Sequence, residues 1–191
     1  NPTRWRLVPG MRMLVGGSAA PEALIRGFDK HNLRVVHAWG MTETTPLGTV
    51  SVLKRNMANL PDASKYEIRA KQGFPAPLVE IRSVTEKGEA PWDGVALGEL
   101  QIRGPWVAAS YYRQPEAQDR WTEDGWFRTG DVVTIDREGY VKIVDRTKDL
   151  IRSGGEWISS VDLENALMGH PSVREAAVIA MSNDRWGERP L

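Results

Sequence analysis

Apolar and polar positions change spacing several times along this chain, and each change predicts an element. Met11 to Val15 reads as a short buried strand closed by Gly16-Gly17. Pro21 then stands where a first helical residue belongs, and Leu24, Ile25 and Phe28 follow at helical spacing. Arg34 to His37 returns as a strand, closed by Trp39-Gly40. Strand, helix and strand over this length predict a βαβ unit with parallel strands. Ligands of open α/β sheets bind beyond the carboxyl ends of the strands, so Gly16–Ala20 and Trp39–Glu43 are expected to be neighbours.

From about Lys54 to Gly73 the periodic signal fades, and the stretch reads as a long surface excursion. Leu78 to Ser83 and Glu99 to Ile102 alternate between Gly and Pro punctuation, which predicts an antiparallel, barrel-like β region beginning near residue 74. Val132–Ile135 and Tyr140–Val144 form a hairpin by pattern around Asp136-Arg137-Glu138-Gly139. Pairing across that turn sets Ile135 opposite Tyr140, with Asp131 near Val144 and Asp145. Ser159 is a plausible helix cap with Asp162 three residues on, and Leu163, Ala166 and Leu167 make the apolar face. Gly169 and Pro171 end that helix, and Arg174 to Met181 reads as a further strand. The fold class is therefore α/β and α+β. The end of a parallel α/β subdomain and a β-barrel-like subdomain occupy residues 1–145, and the start of a small α+β domain occupies 146–191.

Composition narrows the chemistry. With 25 Lys+Arg against 25 Asp+Glu the net charge is zero, which gives no nucleic-acid footprint. Cys is absent, which excludes a thiol nucleophile, a disulfide framework and a Cys-based zinc site on this chain. That absence fits a reducing compartment, and the chain is expected to be cytoplasmic. No apolar run approaches the roughly 20 residues of a membrane span. Asn1-Pro2 lacks an initiator Met, so the chain reads as a piece of a longer protein.

Several clusters carry candidate chemistry. Trp39-Gly40-Met41-Thr42-Glu43 offers a ring for a purine, a hydroxyl for a phosphate oxygen and a carboxylate for Mg²⁺; on residue chemistry alone a buried Trp ahead of a Thr-rich loop is the favoured reading. Gly16-Gly17-Ser18-Ala19-Ala20-Pro21 lets backbone approach a flat ligand, or is an ordinary turn into a helix. Asp131 could accept both hydroxyls of a ribose, or be a solvated strand-start residue. Asp145-Arg146-Thr147-Lys148-Asp149 would on its own be a loop of weak surface pairs. Of the three histidines only His37 falls near these clusters.

Taken in order, these clusters add a further level. They run through Gly98-Glu99-Leu100-Gln101-Ile102-Arg103-Gly104, Trp126-Phe127-Arg128-Thr129-Gly130-Asp131 and Ser153-Gly154-Gly155-Glu156. The series resembles the adenylate-forming superfamily of acyl-CoA synthetases, peptide-synthetase adenylation domains and luciferases. Gly155 to Glu164, with Asp184 and Trp186-Gly187-Glu188-Arg189, most resembles medium- and long-chain fatty acyl-CoA ligases.

The resemblance implies a two-step reaction. A fatty carboxylate attacks the α-phosphate of ATP to give an acyl-adenylate and pyrophosphate, and the thiol of coenzyme A then displaces AMP. By position, Gly17, Ser18, Ala19, Ala38, Trp39 and Gly40 would frame adenine with His37 beside them, and Gly40 and Met41 would also touch the acyl chain. Thr42 would hold a phosphate and Glu43 the Mg²⁺. Asp131 would take the ribose hydroxyls, assisted by Arg146, with Ile143 packing nearby. Asp145 would be the hinge of the small domain. Lys148, Arg152 and Trp157 would lie near the adenylate and the inter-domain contact, and Ser153, Gly154 and Gly155 along the pantetheine tunnel. The family's phosphate loop and its late Lys do not occur in these residues, so the chain alone is expected to be inactive. Its partners would be small molecules: a carboxylic acid, ATP and CoA. Alternatives are a ligase for an aryl or sulfur-containing acid, or a non-catalytic nucleotide-binding relative.

Overall fold

A computed structural model describes residues 7–154 and 156–191. In chain order it contains β1 (Arg12–Val15), α1 (Glu22–Asp29), β2 (Arg34–Trp39), β3 (Thr49–Ser51), α2 (Asp62–Ala70), β4 (Phe74–Pro75), β5 (Glu80–Thr85) and β6 (Gly88–Glu89). These are followed by β7 (Gly98–Arg103), β8 (Phe127–Ile135), β9 (Val141–Arg146), β10 (Ile151–Ser153), β11 (Glu156–Ile158), α3 (Ser160–Met168), β12 (Ala180–Asn183) and β13 (Gly187–Pro190). Short helical turns cover Thr42–Thr44, Arg55–Met57 and Pro115–Arg120.

The strands form three sheets, in the orders β1-β2-β3-β4, β6-β5-β7-β8-β9 and β11-β10-β13-β12. The first βαβ unit is present, with β1 parallel to β2 from Arg12↔Arg34 to Val15↔His37. Ile25 is fully buried between α1 and β2, and Phe28, Met13 and Val15 pack around it. β1 departs from the expected buried strand. It lies at a sheet edge, so only alternate residues reach the α1 layer and Leu14 stays 69% exposed.

The second sheet is antiparallel throughout and open, so the barrel-like expectation is corrected to a five-stranded sheet. Its inward positions Ile81, Leu100, Ile102, Phe127, Val133, Ile135 and Val141 form the main core. Trp39 of β2 belongs to that same core and joins the first sheet to the second.

Three more expectations change. The surface excursion before Gly73 contains α2, whose Tyr66 and Ala70 pack on the α1 cluster. Asp62 lies in its first turn and Arg69 in its last, an arrangement that suits the helix dipole. No α2 residue is fully buried, so its apolar stripe is too thin to read as a period. The strand expected over Arg174 to Met181 is instead β12, Ala180–Asn183, paired with β13. The α3 cap holds, with Asp162 N–H donating to Ser159 Oγ at 3.1 Å.

Candidate functional site

A cavity of about 770 Å³ opens where the carboxyl ends of β1 and β2 meet β9 and α3. That volume lies within the range of small-molecule sites. Gly17, Ser18, Ala19, His37, Ala38, Trp39, Gly40, Asp131, Ile143, Asp145, Arg146 and Lys148 all line it. The two loop ends expected to be neighbours therefore are. His37, 1% exposed, ties the first of them to the end of α2, with Nε2 3.3 Å from Ser18 O and Nδ1 3.1 Å from Ala70 O. Burial pushes its imidazole below the usual histidine range, against the pull of those carbonyls towards the protonated ring.

Asp131 is the electrostatic centre. It lies within β8 rather than at its start and is 4% exposed, so the solvated reading is set aside. Trp39 Nε1–H donates to its Oδ2 at 2.9 Å, and Arg146 Nε lies 3.4 Å from its Oδ1. Thr129 fixes the backbone beneath it, donating to Leu100 O at 2.7 Å and accepting from Asp131 N–H at 3.1 Å. Burial raises the Asp131 carboxyl above the usual carboxylate range, although Trp39 and Arg146 both favour the ion.

The hairpin register differs from the expected one. Ile135 pairs with Val141 and Val133 with Ile143, but Val132 pairs with Asp145 and Asp131 with Arg146. Val144 is therefore an extra residue in β9. Continued without it, the register would set Asp145 opposite Asp131. The bulge brings a guanidinium there instead. Asp145 turns to α3, where its Oδ2 accepts from Ser160 N–H at 2.7 Å and Ser160 Oγ–H at 2.9 Å. Ser159 Oγ–H adds a bond to Val144 O at 2.7 Å.

Gly40 keeps the loop after β2 tight. A Cβ there would fall 1.6 Å from Pro46 O. Beyond it, Met41 packs against the main core and Thr42 is exposed. Thr42 and Glu43 do not line the cavity. Glu43 accepts a hydrogen bond from Tyr111 O–H, and burial followed by that bond raises the Tyr111 phenol above its usual range. Among the described residues no group of three or more metal-ligating side chains exists. Mg²⁺ that reaches a protein with substrate phosphates uses only one or two carboxylates, so Glu43 fits such an ion.

Other predicted residues lie elsewhere. Arg152 and Trp157 line a second cavity of about 570 Å³ beside Glu99 and Arg128, with the Arg152 guanidinium 4.3 Å from the Trp157 ring centroid. Ser153 is buried in β10, paired with Gly187, and Gly154 N–H donates to Trp186 O at 2.8 Å. Gly155 lies outside the described residues. Gln72, Ser160 and Glu164 line the main cavity without having been expected there. Gln72 sits in a Lys-Gln-Gly stretch that carries no motif.

The family models agree with this geometry. Residues 4–112 match the AMP-binding enzyme model and residues 162–191 the AMP-binding enzyme C-terminal domain model. The chain belongs to the AMP-binding enzyme family. A long-chain-fatty-acid–CoA ligase of Thermus thermophilus is 51% identical over 99% of this chain and 35% of its own length. A 3-methylmercaptopropionyl-CoA ligase of Ruegeria pomeroyi is 46% identical over 94% of the chain and 33% of its own. The chain thus spans about a third of the curated relatives it matches. Among solved structures, o-succinylbenzoate CoA synthetase of Bacillus subtilis in complex with an acyl-adenylate intermediate superposes with a TM-score of 0.81. It is 31% identical over 94% of this chain and 35% of that one. Among the described residues no helix of this AMP-binding enzyme chain is long and apolar enough to cross a membrane.

Proposed function

We propose that this chain is the nucleotide-gripping portion of an ATP-dependent fatty acid–CoA ligase, which makes an acyl-adenylate and then an acyl-CoA. The observation that carries the reading is the buried Asp131, held by Trp39 and Arg146 in a cavity walled by the two βα loop ends. A carboxylate so fixed has two oxygens to offer a pair of vicinal hydroxyls, as on a ribose. Gly17–Ala19, Ala38 and Gly40 give small-residue walls for a purine, while the Trp39 ring belongs to the main core. Lys148, at the same cavity, supplies a mobile cation for phosphate or the acyl carboxylate. Thr42 offers a hydroxyl to a phosphate oxygen, and Glu43 would hold Mg²⁺. When bound, that ion neutralises phosphate charge. Asp145 is the proposed pivot of a small domain beginning at residue 146. Ser153 to Gly155 would serve the CoA step, and Arg152 and Trp157 the contact between the two domains. The resemblance to long-chain and 3-methylmercaptopropionyl-CoA ligases supports an acid–thiol ligase over a binding-only protein.

The test is a titration of the chain with AMP, followed by pyrophosphate release in the longest form of the protein that carries it. Binding by the chain, and turnover that needs ATP and a fatty acid, are expected. Glu43→Gln should abolish turnover and retain AMP. A chain that ignores AMP would overturn the nucleotide reading. A substrate panel that prefers an aryl or sulfur-containing acid would reassign the acid and leave the chemistry intact.

A further inference from the structure

Gln72 carries a feature that neither the fold nor the ribose clamp uses. It is 8% exposed and lines the main cavity. Its backbone is fully engaged: Gln72 N–H donates to Val141 O at 2.9 Å, and Gln72 O accepts from Thr49 Oγ–H at 2.7 Å. The next step of the ladder is Val141 N–H to Gly73 O at 2.7 Å. The side chain then extends that ladder, because Gln72 Oε1 accepts from Ile143 N–H at 2.7 Å. Ile143 is the last paired residue before the Val144 bulge. One half of the carboxamide therefore acts as a substitute backbone carbonyl on the outer edge of β9.

The other half is the informative one. Ile143 N–H is a donor, so the atom that receives it is the carboxamide oxygen and the remaining atom is the NH₂. Among the described residues that NH₂ has no acceptor, yet it is not sealed away as a fully buried orphan. The opening available to it is the cavity that Gln72 lines. Its place within that cavity is beside the loop that the proposed function gives to the purine: Ala70 O, two residues earlier, holds His37 Nδ1, and His37 in turn touches Ser18.

We propose that the Gln72 carboxamide NH₂ donates a hydrogen bond to a ring nitrogen of the purine, and so reads the base while its oxygen holds β9. The inference rests on the nucleotide reading above. With its oxygen turned to Ile143 N–H, the carboxamide presents its NH₂ donor to the cavity, which favours a base with an unprotonated ring nitrogen.

The experiment is a calorimetric titration of the chain with AMP and its 1-deaza, 3-deaza and 7-deaza analogues, on wild type, Gln72→Leu and Gln72→Glu. Gln72→Leu removes both halves of the carboxamide. Gln72→Glu keeps an acceptor for Ile143 N–H and removes the donor, which covers the case in which the leucine variant does not fold. One analogue should bind wild type about 2- to 10-fold more weakly than AMP, as a single net hydrogen bond allows. The same analogue and AMP should bind each variant equally. Because the comparison is made within each variant, a uniform loss from the glutamate charge cancels. If no analogue separates wild type from both variants while AMP still binds, the inference is wrong and the nucleotide reading stands. If wild type does not bind AMP, the nucleotide reading itself fails.

Discussion

Asp131→Asn separates what the carboxylate costs the fold from what it contributes to binding. The substitution keeps shape and one acceptor oxygen, so Trp39 Nε1–H retains a partner at the 2.9 Å position. It removes the charge. Burial raises the Asp131 carboxyl in the folded chain, so the folded state binds its proton more tightly than the unfolded one. By linkage, stability from this group is full below the unfolded pKa and falls as pH climbs through the higher folded value. As pH rises towards 7 the wild type therefore loses stability that the asparagine variant keeps. Arg146 offsets little of this, since its side chain is 61% exposed and exposed pairs contribute about 0–1 kcal/mol. Asp131→Asn should melt at or above the wild-type temperature at pH 7, and the gap should close as pH is lowered towards 4. Affinity should move the other way. Hydrogen bonds to a charged group contribute about 1.5–3 kcal/mol, so the loss of the carboxylate should weaken AMP binding about 10- to 150-fold. Thermal melts across pH, paired with calorimetry, read both. A variant that melts below wild type at pH 7, or binds AMP unchanged, refutes the reasoning.

Gly40→Ala should fold poorly, because its new methyl would sit 1.6 Å from Pro46 O and the backbone must shift; a fall in melting temperature and lost AMP binding would report it. Ser160→Ala removes the 2.9 Å bond to Asp145 and should cost about 0.5–1.5 kcal/mol in denaturant melts, with α3 protected less against hydrogen exchange. Ile102→Ala, in the centre of the main core and 0% exposed, should cost about 2–5 kcal/mol and leave the cavity's ligand preference unchanged.

Much of the site was legible because its parts follow local rules. A small-residue loop after a strand and an aromatic-Gly pair after the next strand are sequence-local, and parallel pairing of β1 with β2 brings them together. Ser159 was legible as a cap for the same reason. What escaped is what depends on distant partners. The Val144 bulge moved Arg146, rather than Asp145, opposite Asp131, and nothing in an alternating strand announces one extra residue. Helix α2 escaped because its contacts are carried by polar stems such as Arg69, bonded to Asp29 at 2.5 and 2.9 Å, not by an apolar stripe. Gln72 escaped because its role needs a strand 71 residues away.

The clasp between β9 and α3 bears on how any motion about Asp145 would proceed. Turning the backbone there must first free Ser160 from the carboxylate and Ser159 from Val144 O, bonds that all fall on two adjacent residues of the α3 start. Such a joint does not bend in proportion to load. It holds, then releases, so the small unit would change position in a discrete step whose rate is governed by the clasp rather than by the softness of the chain on either side.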